Sequence, residues 1–524
     1  MSGDPPANHV TGPRRIGRAR LLAVALLVAA AIVLTLARPA RAGNYVVTQC
    51  SSVTAFAEAS WERSSDHYGS RALCGTDGGL QAYHDADSTG LWHFGAWVWR
   101  APPGTVFTNV QANASLTNQA GHHGELVVIR PGGEPVGFGS EHDDFRVHAI
   151  AGEFTQFHSW LRCVAPGPGQ PCGRAGGDAA HAYVRGVYLR TEDRVAPSLT
   201  LTGGSLLGAE VVRGTRGLSF AASDVGSGIR KVYVEANGTL LVTDIRNCAV
   251  AAGYATALRP CPPQTTESAA IPTAGAAFVT GPANTVTACV EDLALDGAAN
   301  RACEQRQVWV DDACPGSAVG GGFALSAGFG DGSATASLVA SDQPSVVRGR
   351  VGGAPAGATV CALTRVLIDG EPIVVGATAT TGADGDYALE LPPGPSREVY
   401  VHYVAGDQVI ARHGLVLRSS ARPALDVRPN HGVRNHDRLQ FTGTLPGPAC
   451  FDRVVKVQAR LGKRRWQVFR TDRADAACVF TARYRLRATA DAKRYRFRAL
   501  VPQQAGYPFE RGYSRTVKVK LRRR

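Results

Sequence analysis

Strict two-residue alternation of apolar and polar side chains is the pattern that most restricts how this chain folds. Four short segments near the end of the sequence alternate in this way: 455–461, 484–488, 495–499 and 517–521. Because successive side chains of a strand point to opposite faces, each segment predicts a strand with one buried and one solvated face. We therefore expect an all-β fold whose sheets each cover a core on one side.

Turn-forming residues separate short apolar segments along most of the sequence. The 524 residues include 60 Gly and 30 Pro, and the apolar segments are brief and rich in Val, Leu and Ala. This composition favours many short strands joined by turns over helices. At roughly 100–200 residues per domain, the length predicts several domains. The fold class we predict is a row of tandem β-sandwich modules.

The first 42 residues have the three parts of a secretory signal peptide. A basic patch that includes Arg14 and Arg15 precedes an apolar run from residue 21 to residue 37. Ala40-Arg41-Ala42 then forms a small-x-small cleavage pattern in front of Gly43. We expect an exported, extracellular or cell-surface protein. An uncleaved run would be an apolar helix at the lower edge of the length that spans a membrane, and this membrane-anchored alternative stays open.

Twelve cysteines, none of them in the first 42 residues, favour disulfides in an exported chain. Their spacing suggests local pairs, although sequence alone leaves the connectivity open. The expected pairs are Cys50–Cys74, Cys163–Cys172, Cys248–Cys261, Cys289–Cys303, Cys314–Cys361 and Cys450–Cys478. The alternative use of cysteine, structural zinc, is disfavoured because the C-x2-C spacing is absent from the sequence.

The first unit, residues 43–195, contains five of the seven Trp and nine of the 14 His. Turn clusters such as Pro131-Gly132-Gly133 separate short apolar runs such as 126–129. This layout resembles a lectin-like jelly roll of the kind found at the front of secreted bacterial proteins. The resemblance implies a front domain that binds carbohydrate or another surface ligand.

The second unit, residues 196–313, carries the segment Asp224-Val225-Gly226-Ser227-Gly228-Ile229 and closes with Val-Trp-Val-Asp at 308–311. Both segments resemble those of bacterial immunoglobulin-like domains. One residue is inserted near Gly297 relative to the family's D-x-A-G-N ending, so the resemblance does not predict the conformation of that turn. The resemblance implies a β-sandwich and supplies no catalytic residue.

The third unit, residues 314–425, contains Asp384-Gly385-Asp386-Tyr387 after Thr381-Gly382. Asp-Gly followed by alternating apolar residues is itself a hairpin signal. The segment resembles the carboxypeptidase regulatory-like, or transthyretin-like, β-sandwich, in which D-G-x-Y is a hairpin turn that leads into a core strand. The resemblance implies that fold and not a peptidase.

The last unit, residues 426–524, resembles an immunoglobulin-like sandwich and carries most of the basic charge of the chain. Its 25 Arg and Lys against 7 Asp and Glu give a charge of +18. If its outward basic side chains share one sheet face, that face would attract an anionic polymer of the cell envelope. The candidates are Arg485, Arg487, Arg496, Arg498, Lys518 and Lys520.

The ligand-binding candidates in the first unit are aromatic, acidic and His residues. We expect Trp97 and Trp99 to share one face of a strand and, with Trp92, to offer a platform on which a sugar ring stacks. The segment 84–90 resembles the start of a calcium loop, with Asp85 and Asp87 at alternate positions, but Ala96 stands where the loop's last Glu belongs. Further along, His142 and Asp143 are candidates for polar contacts.

We expect no catalytic residues and no cofactor, although weak calcium binding stays open. The sequence lacks H-E-x-x-H, a complete G-x-S-x-G, a Walker loop and a dinucleotide fingerprint. The predicted function is non-enzymatic binding or adhesion, by a monomer, to carbohydrate or a cell-envelope polymer and not to nucleic acid. One alternative is a jelly-roll hydrolase or lyase that uses Glu141, His142, Asp143 and Asp144. Another is a ligand-free envelope scaffold.

Overall fold

A computed structural model describes residues 43–75, 78–84, 88–89, 91–139, 141–164, 170–173, 180–316, 322–406, 408–486 and 494–522. The predicted signal segment, residues 1–42, lies outside this part of the chain. Within the described ranges, no helix combines the length and the apolar character needed to cross a membrane.

The described chain is almost entirely β-structure, arranged as consecutive sandwiches. Four large hydrophobic cores follow one another along the sequence, and each is enclosed by the buried faces of separate sheets. The predicted fold class, a row of β-sandwich modules, is confirmed. The one helical turn among the described residues, α1 (Ser205–Gly208), lies in the second unit.

The first unit is the largest sandwich. Its strands are β1 (Gly43–Gln49), β2 (Ser60–Arg63), β3 (Tyr68–Ala72), β4 (Leu80–His84), β5 (Ser88–Thr89), β6 (Phe94–Arg100), β7 (Thr105–Leu116), β8 (Asn118–Gln119), β9 (His122–Ile129), β10 (Pro135–Gly137), β11 (His142–Phe154), β12 (Gln156–Cys163), β13 (Cys172–Gly173) and β14 (His181–Asp193). An eight-stranded sheet has the order β11-β7-β14-β1, with β4 beside β14 and β3 beside β4. A six-stranded sheet, β10-β9-β12-β6-β2 with β8 beside β9, covers the other side of the core.

Two strands of the second unit extend the eight-stranded sheet of the first unit. Its strands are β15 (Ser198–Gly203), β16 (Thr215–Ser223), β17 (Ile229–Ala236), β18 (Thr239–Ile245), β19 (Val250–Ala251), β20 (Tyr254–Ala255), β21 (Gln264–Pro272), β22 (Gly281–Asp292) and β23 (Arg301–Val310). Sheets β15-β16-β21 and β18-β17-β22-β23 enclose its core. The hairpin β19–β20 completes the eight-stranded sheet, because Ala255 pairs with Val47 of β1.

The third unit encloses its core between a three-stranded and a five-stranded sheet. Its strands are β24 (Ala324–Phe329), β25 (Ala336–Ala340), β26 (Ser345–Gly352), β27 (Thr359–Val366), β28 (Val374–Thr380), β29 (Asp386–Leu391), β30 (Arg397–Ala405) and β31 (Gln408–Ser420). The sheet orders are β24-β26-β29 and β25-β31-β30-β27-β28. Tyr387, Leu389 and Leu391 are buried, as expected for the strand after the Asp-Gly turn.

The last unit repeats this arrangement with a three-stranded and a five-stranded sheet. Its strands are β32 (Asp426–Arg428), β33 (Arg438–Thr444), β34 (Val454–Leu461), β35 (Gln467–Arg473), β36 (Val479–Arg485), β37 (Arg494–Val501), β38 (Gly512–Tyr513) and β39 (Val517–Lys520). One sheet is β32-β33-β36; the other is β35-β34-β37-β38 with β39 also beside β37. The alternating segments bury their apolar faces between the two sheets.

Six disulfides join the cysteines in the pairs that their spacing suggested. All six pairs close short or moderate loops, with sequence separations from 9 to 47 residues. No cysteine in the described chain is free. Disulfides in this number indicate an oxidising, extracellular environment.

A buried polar contact joins the second unit to the third. The Nδ1 atom of His402 lies 2.6 Å from Oδ2 of Asp311, and both side chains have no exposed surface. The other carboxylate oxygen accepts a hydrogen bond from the Cys314 backbone N–H. A small apolar cluster that includes Trp309 surrounds the contact, with the Trp309 ring 5.0 Å from the imidazole.

We predict that His402→Ala weakens this joint strongly, because it leaves the Asp311 carboxylate buried without its partner. Breaking a buried pair in this way typically costs about 3–5 kcal/mol, which urea denaturation would measure. The control is His413→Ala, a half-buried imidazole in the next strand, which should cost less than about 1 kcal/mol. Equal effects of the two substitutions would contradict the assigned role of His402.

Candidate functional site

The outer face of the eight-stranded sheet carries a block of amide, arginine and tyrosine side chains. In β7 Ala112 is buried, so Gln111 and Asn113 on either side of it point outward. The pairing of β7 with β14 places Tyr188 opposite Gln111 and Arg185 opposite Asn113. Opposite residues of paired strands lie on the same side of a sheet. We call Gln111, Asn113, Arg185 and Tyr188 the amide–tyrosine face.

Gly186 allows this face to form. The register between β7 and β14 shifts between Arg185 and Val187, and Gly186 at that bulge has φ 71°, a conformation that favours glycine. Because of the extra residue, Arg185 and Tyr188 both point outward while Val187 remains buried. The Gly186 N–H also donates a hydrogen bond of 2.5 Å to the carbonyl of Cys50.

A groove of about 850 Å³ lies over the amide–tyrosine face. The sheet forms its floor, and the two loops joined by the Cys50–Cys74 disulfide form its rim. The rim residues are Ser51, Ser52, Ala55, Gly75 and Gly78. Sites for small ligands are concave, have volumes of this order and present a few polar groups that converge.

The groove offers hydrogen-bonding groups beside an aromatic ring. Gln111 and Asn113 contribute side-chain amides to the groove, and Oδ1 of Asn113 is buried without a hydrogen-bond partner within the described chain. The Arg185 guanidinium lies 3.8 Å from the centre of the Phe145 ring, which holds it against the sheet. The Tyr188 ring packs edge-on against Tyr254 of the hairpin from the second unit. Such a site suits a polar ligand with hydroxyl groups.

The predicted platform on Trp97 and Trp99 is wrong. The two side chains share one face of β6, as alternation requires, but that face is the core side. Trp99 is fully buried and stacks on Phe157 at 4.9 Å. Trp97 is 9% exposed, and its Nε1 donates a hydrogen bond to the carbonyl of Gln81. Period-two alternation shows which side chains point together, and it does not show which side of the sheet faces water.

Trp92 lies at the surface, with 61% of its area exposed. The Arg162 guanidinium lies 5.9 Å from the ring centres of both Trp92 and Trp160, and Phe94 lies 5.9 Å from Trp160. Arg162 also forms an ion pair of 2.8 Å with Glu125. We call Trp92, Phe94, Trp160 and Arg162 the Trp92 patch. It belongs to the outer side of the six-stranded sheet, on the other side of the unit from the groove.

The polar candidates of the first unit are not brought together in the described chain. His142 is buried, and its Nε2 lies 2.5 Å from Nε2 of His148, with the two rings stacked. Glu141 accepts a hydrogen bond from Asn118, and Asp144 is exposed. Three candidate side chains fall outside what the structure describes: Asp85, Asp87 and Asp143.

One set of three possible metal ligands in the described ranges is close together: Asp311, Cys314 and His402, with ligand atoms within 4.8 Å of one another. Cys314 forms a disulfide with Cys361, and a disulfide sulfur is not the thiolate that binds metals. The remaining pair makes the buried contact between the second and third units.

The outer face of the five-stranded sheet in the last unit is strongly basic. We call this set the basic face: Lys456, Arg460, Arg494, Arg496, Arg498, Lys518 and Lys520. The register confirms that they share one side, since Arg496 pairs with both Arg460 and Lys518. The guanidinium groups of Arg460 and Arg498 lie 4.8 and 4.2 Å from the centre of the Trp466 ring. No carboxylate of the described residues forms an ion pair with any of the seven.

Four of the six predicted basic residues share one sheet face, and one lies on a different sheet. Arg496, Arg498, Lys518 and Lys520 belong to the basic face. Arg485 lies instead on β36, in the three-stranded sheet, where its Nε donates a hydrogen bond to the carbonyl of His436. Strands β36 and β37 have the same alternation but belong to different sheets. The alternation alone does not show which sheet a strand joins. Arg487 lies outside the described residues.

Sequence reasoning missed the amide–tyrosine face. The signal that would have found half of it is the alternation of Asn109, Gln111 and Asn113 with buried residues in 105–116. The other half depends on the bulge at Gly186, because without it Arg185 and Tyr188 would point to opposite sides. A bulge is set by the pairing of two strands and leaves only a glycine as its trace in the sequence.

Comparisons with known proteins leave the family of the chain unassigned. No protein-family model matches it, and no curated protein matches it. Among solved structures it is similar to the fibronectin(III)-like modules of Clostridium thermocellum CbhA, with 12% identity and a TM-score of 0.16. The match covers 38% of this chain and 94% of that one. A likeness at this TM-score assigns neither a fold nor a function.

We predict that acidification destabilises the first unit through His158, which lies beside Trp160. Burial lowers the pKa of His158 to about 4, from an ordinary value of 6.5, and Glu62 opposes this shift. The neutral imidazole therefore stabilises the fold above pH 6.5, and this stability is lost as the pH falls towards 4. His158→Gln should flatten the pH dependence between these values, measured by Trp fluorescence during urea unfolding. If the unfolding free energy of the wild type does not change between pH 4 and pH 6.5, the role assigned to His158 is contradicted.

Proposed function

We propose that this protein is a non-enzymatic, exported binding protein whose first unit holds carbohydrate in the groove over the amide–tyrosine face. The observation that carries the proposal is the convergence of Gln111, Asn113, Arg185 and Tyr188 on one concave surface. Their side chains offer donors, acceptors and one ring face within a single groove.

The chemistry of a sugar matches this surface. Hydroxyl groups pair with amides and guanidinium groups, while the C–H face of a sugar ring packs on a tyrosine ring. Export is supported independently by the six disulfides, which belong to an oxidising compartment.

The four units then have distinct roles in the proposal. The first is a lectin-like jelly roll, the second an immunoglobulin-like domain and the third a carboxypeptidase regulatory-like sandwich. These middle units serve as spacers between the ligand-binding unit and the last, immunoglobulin-like unit. Residues 1–42 direct export and are removed before Gly43.

The groove is tested by binding of the full exported protein to insoluble polysaccharides such as chitin, cellulose and peptidoglycan. Asn113→Ala and Tyr188→Ala should each weaken binding roughly tenfold, since losing one buried hydrogen bond or packed ring costs about 1–2 kcal/mol. Asn109→Ala is the matched control, because it removes an amide from the same strand outside the groove. Trp92→Ala should leave binding unchanged.

A loss confined to Trp92→Ala would move the sugar site to the Trp92 patch and refute the groove as the site. Binding by none of the polysaccharides would overturn the carbohydrate proposal for the first unit.

A second function is supported by the basic face. Seven cations that form no ion pair with a carboxylate of the described residues create a strong positive field, and polyanions are the ligands that such a field attracts. The Trp466 ring lies against two of these guanidinium groups, those of Arg460 and Arg498. We assign this face to an anionic polymer of the cell envelope, since an exported chain meets such polymers and not nucleic acid.

Retention on a dextran sulfate column tests the basic face. Arg496→Gln with Lys518→Gln should elute at clearly lower salt than the wild type, because screening competes with fewer contacts. Arg438→Gln with Arg485→Gln is the matched control, since it removes the same charge from the opposite sheet. If both pairs shift elution equally, net charge and not the basic face accounts for retention.

A further inference from the structure

Three carboxylates lie buried where the first unit meets the second. Asp193 ends β14 of the first unit, while Asp224 and Asp292 belong to the second, and each is at most 4% exposed. Oδ2 of Asp193 accepts a hydrogen bond of 2.6 Å from the Ser227 N–H. Both oxygens of Asp292 accept hydrogen bonds from Asn300, at 2.7 and 2.8 Å. The joint therefore depends on buried acidic groups that cross between the units.

Nearby cations balance the negative charge of these three carboxylates only in part. Arg259 is the cation that acts on Asp224, and it makes its hydrogen bonds to backbone carbonyls. Oδ1 of Asp224 has no hydrogen-bond partner within the described chain. Burial, together with Asp193 and Asp224, raises the pKa of Asp292 to about 8, although Asn300 opposes this. A buried carboxylate without a cation is costly to ionise, so the joint would gain from a nearby positive charge.

Gly43 directly follows the predicted cleavage site. It is buried, and it lies against Asp292. A Cβ atom placed on Gly43 would lie 3.2 and 3.3 Å from the two Asp292 carboxylate oxygens and 3.1 Å from the Leu293 carbonyl oxygen. Three oxygens at these distances crowd a methyl group. The distances of 3.1 and 3.2 Å are at the long end of the range for N–H···O hydrogen bonds, so an ammonium group placed there needs only a small shift to bond these oxygens.

We propose that cleavage between Ala42 and Gly43 generates an α-ammonium group that occupies this position and forms a buried ion pair with Asp292. Water adds to the Ala42 carbonyl as the C–N bond breaks, leaving a carboxylate on Ala42 and an amine on Gly43 that takes up a proton. The new terminus then joins the first unit to the second. The proposal relies on the export and cleavage in the proposed function and is independent of the bound sugar.

The geometry permits this placement only after cleavage. The nitrogen and the Cβ position on Cα are related by about one third of a turn about the Cα–C bond, and the two bonds have similar lengths of about 1.5 Å. A free amine can therefore turn into the space among the three oxygens. An amide nitrogen at Gly43 carries the preceding residue and no charge, so it cannot serve.

A metal ion fits this joint less well than an ammonium group. Asp193, Asp224 and Asp292 are not among the groups of three or more possible metal ligands found close together in the described part of the chain. An ammonium group needs only Asp292 and the Leu293 carbonyl, and both already surround Gly43.

The first test is N-terminal sequencing of the exported protein, followed by amine labelling. Acetic anhydride should modify the Gly43 amine at least tenfold more slowly in the folded protein than in urea, with the six lysines as internal references. An exposed terminal amine has a pKa near 8 and reacts readily at neutral pH. A mature terminus other than Gly43, or equal labelling in both states, would overturn the ion pair.

The second test is a double-mutant cycle on the full mature chain. Retaining Ala42 as a one-residue extension should lower the melting temperature by roughly 4 °C or more. In the Asp292→Asn background the extension should have little further effect. Asp296→Asn, which removes a neighbouring exposed carboxylate, is the control and should leave the effect of the extension intact. Equal effects of the extension in all three backgrounds would exclude Asp292 as the partner.

Sugar binding separates this proposal from the function of the groove. If polysaccharide binding fails while the labelling and melting results hold, only the function of the groove is refuted.

Discussion

Buried polar contacts between neighbouring sandwiches are the interactions on which the arrangement of this protein depends. Each sandwich has its own apolar core, and a core holds two sheets together without fixing the next unit. The joints supply that second constraint through Asp193 and Ser227, and through Asp311 and His402. A buried polar group must keep its partner, so each contact allows one arrangement of the two units. The hairpin β19–β20 reinforces the first joint by extending a sheet across it.

The candidate binding surfaces are local departures from a regular scaffold. The groove exists because a glycine bulge turns Arg185 and Tyr188 to the same side and because a disulfide holds two loops above the sheet. The basic face differs, since it is the ordinary outer side of a sheet, and cations occupy most of its polar positions. The first surface is concave and offers specific hydrogen bonds. The second is open and offers charge, so the two suit different ligands.

The sequence predicted the fold more fully than it predicted the site. Alternation and turn chemistry gave the β-sandwich class, and local spacing gave the cysteine pairs, because both are short-range properties. For the site, aromatic content directed attention to Trp97 and Trp99, whose rings fill the core. Trp92, which was predicted together with them, is exposed, whereas the groove residues Gln111 and Asn113 had weaker signals. Which face of a strand meets water depends on the sheet that packs against it, and that sheet is distant in sequence.

By itself, the sequence determined where strands form, which side chains point together along each strand, and that the last unit is basic. These follow from period-two geometry and composition, which act within a few residues. Only the tertiary structure decided that Arg485 and Arg496 lie on different sheets, that Gly186 sets the floor of the groove, and that Gly43 meets Asp292. Each of these depends on the pairing or packing of segments far apart in the chain, where local preferences exert no control.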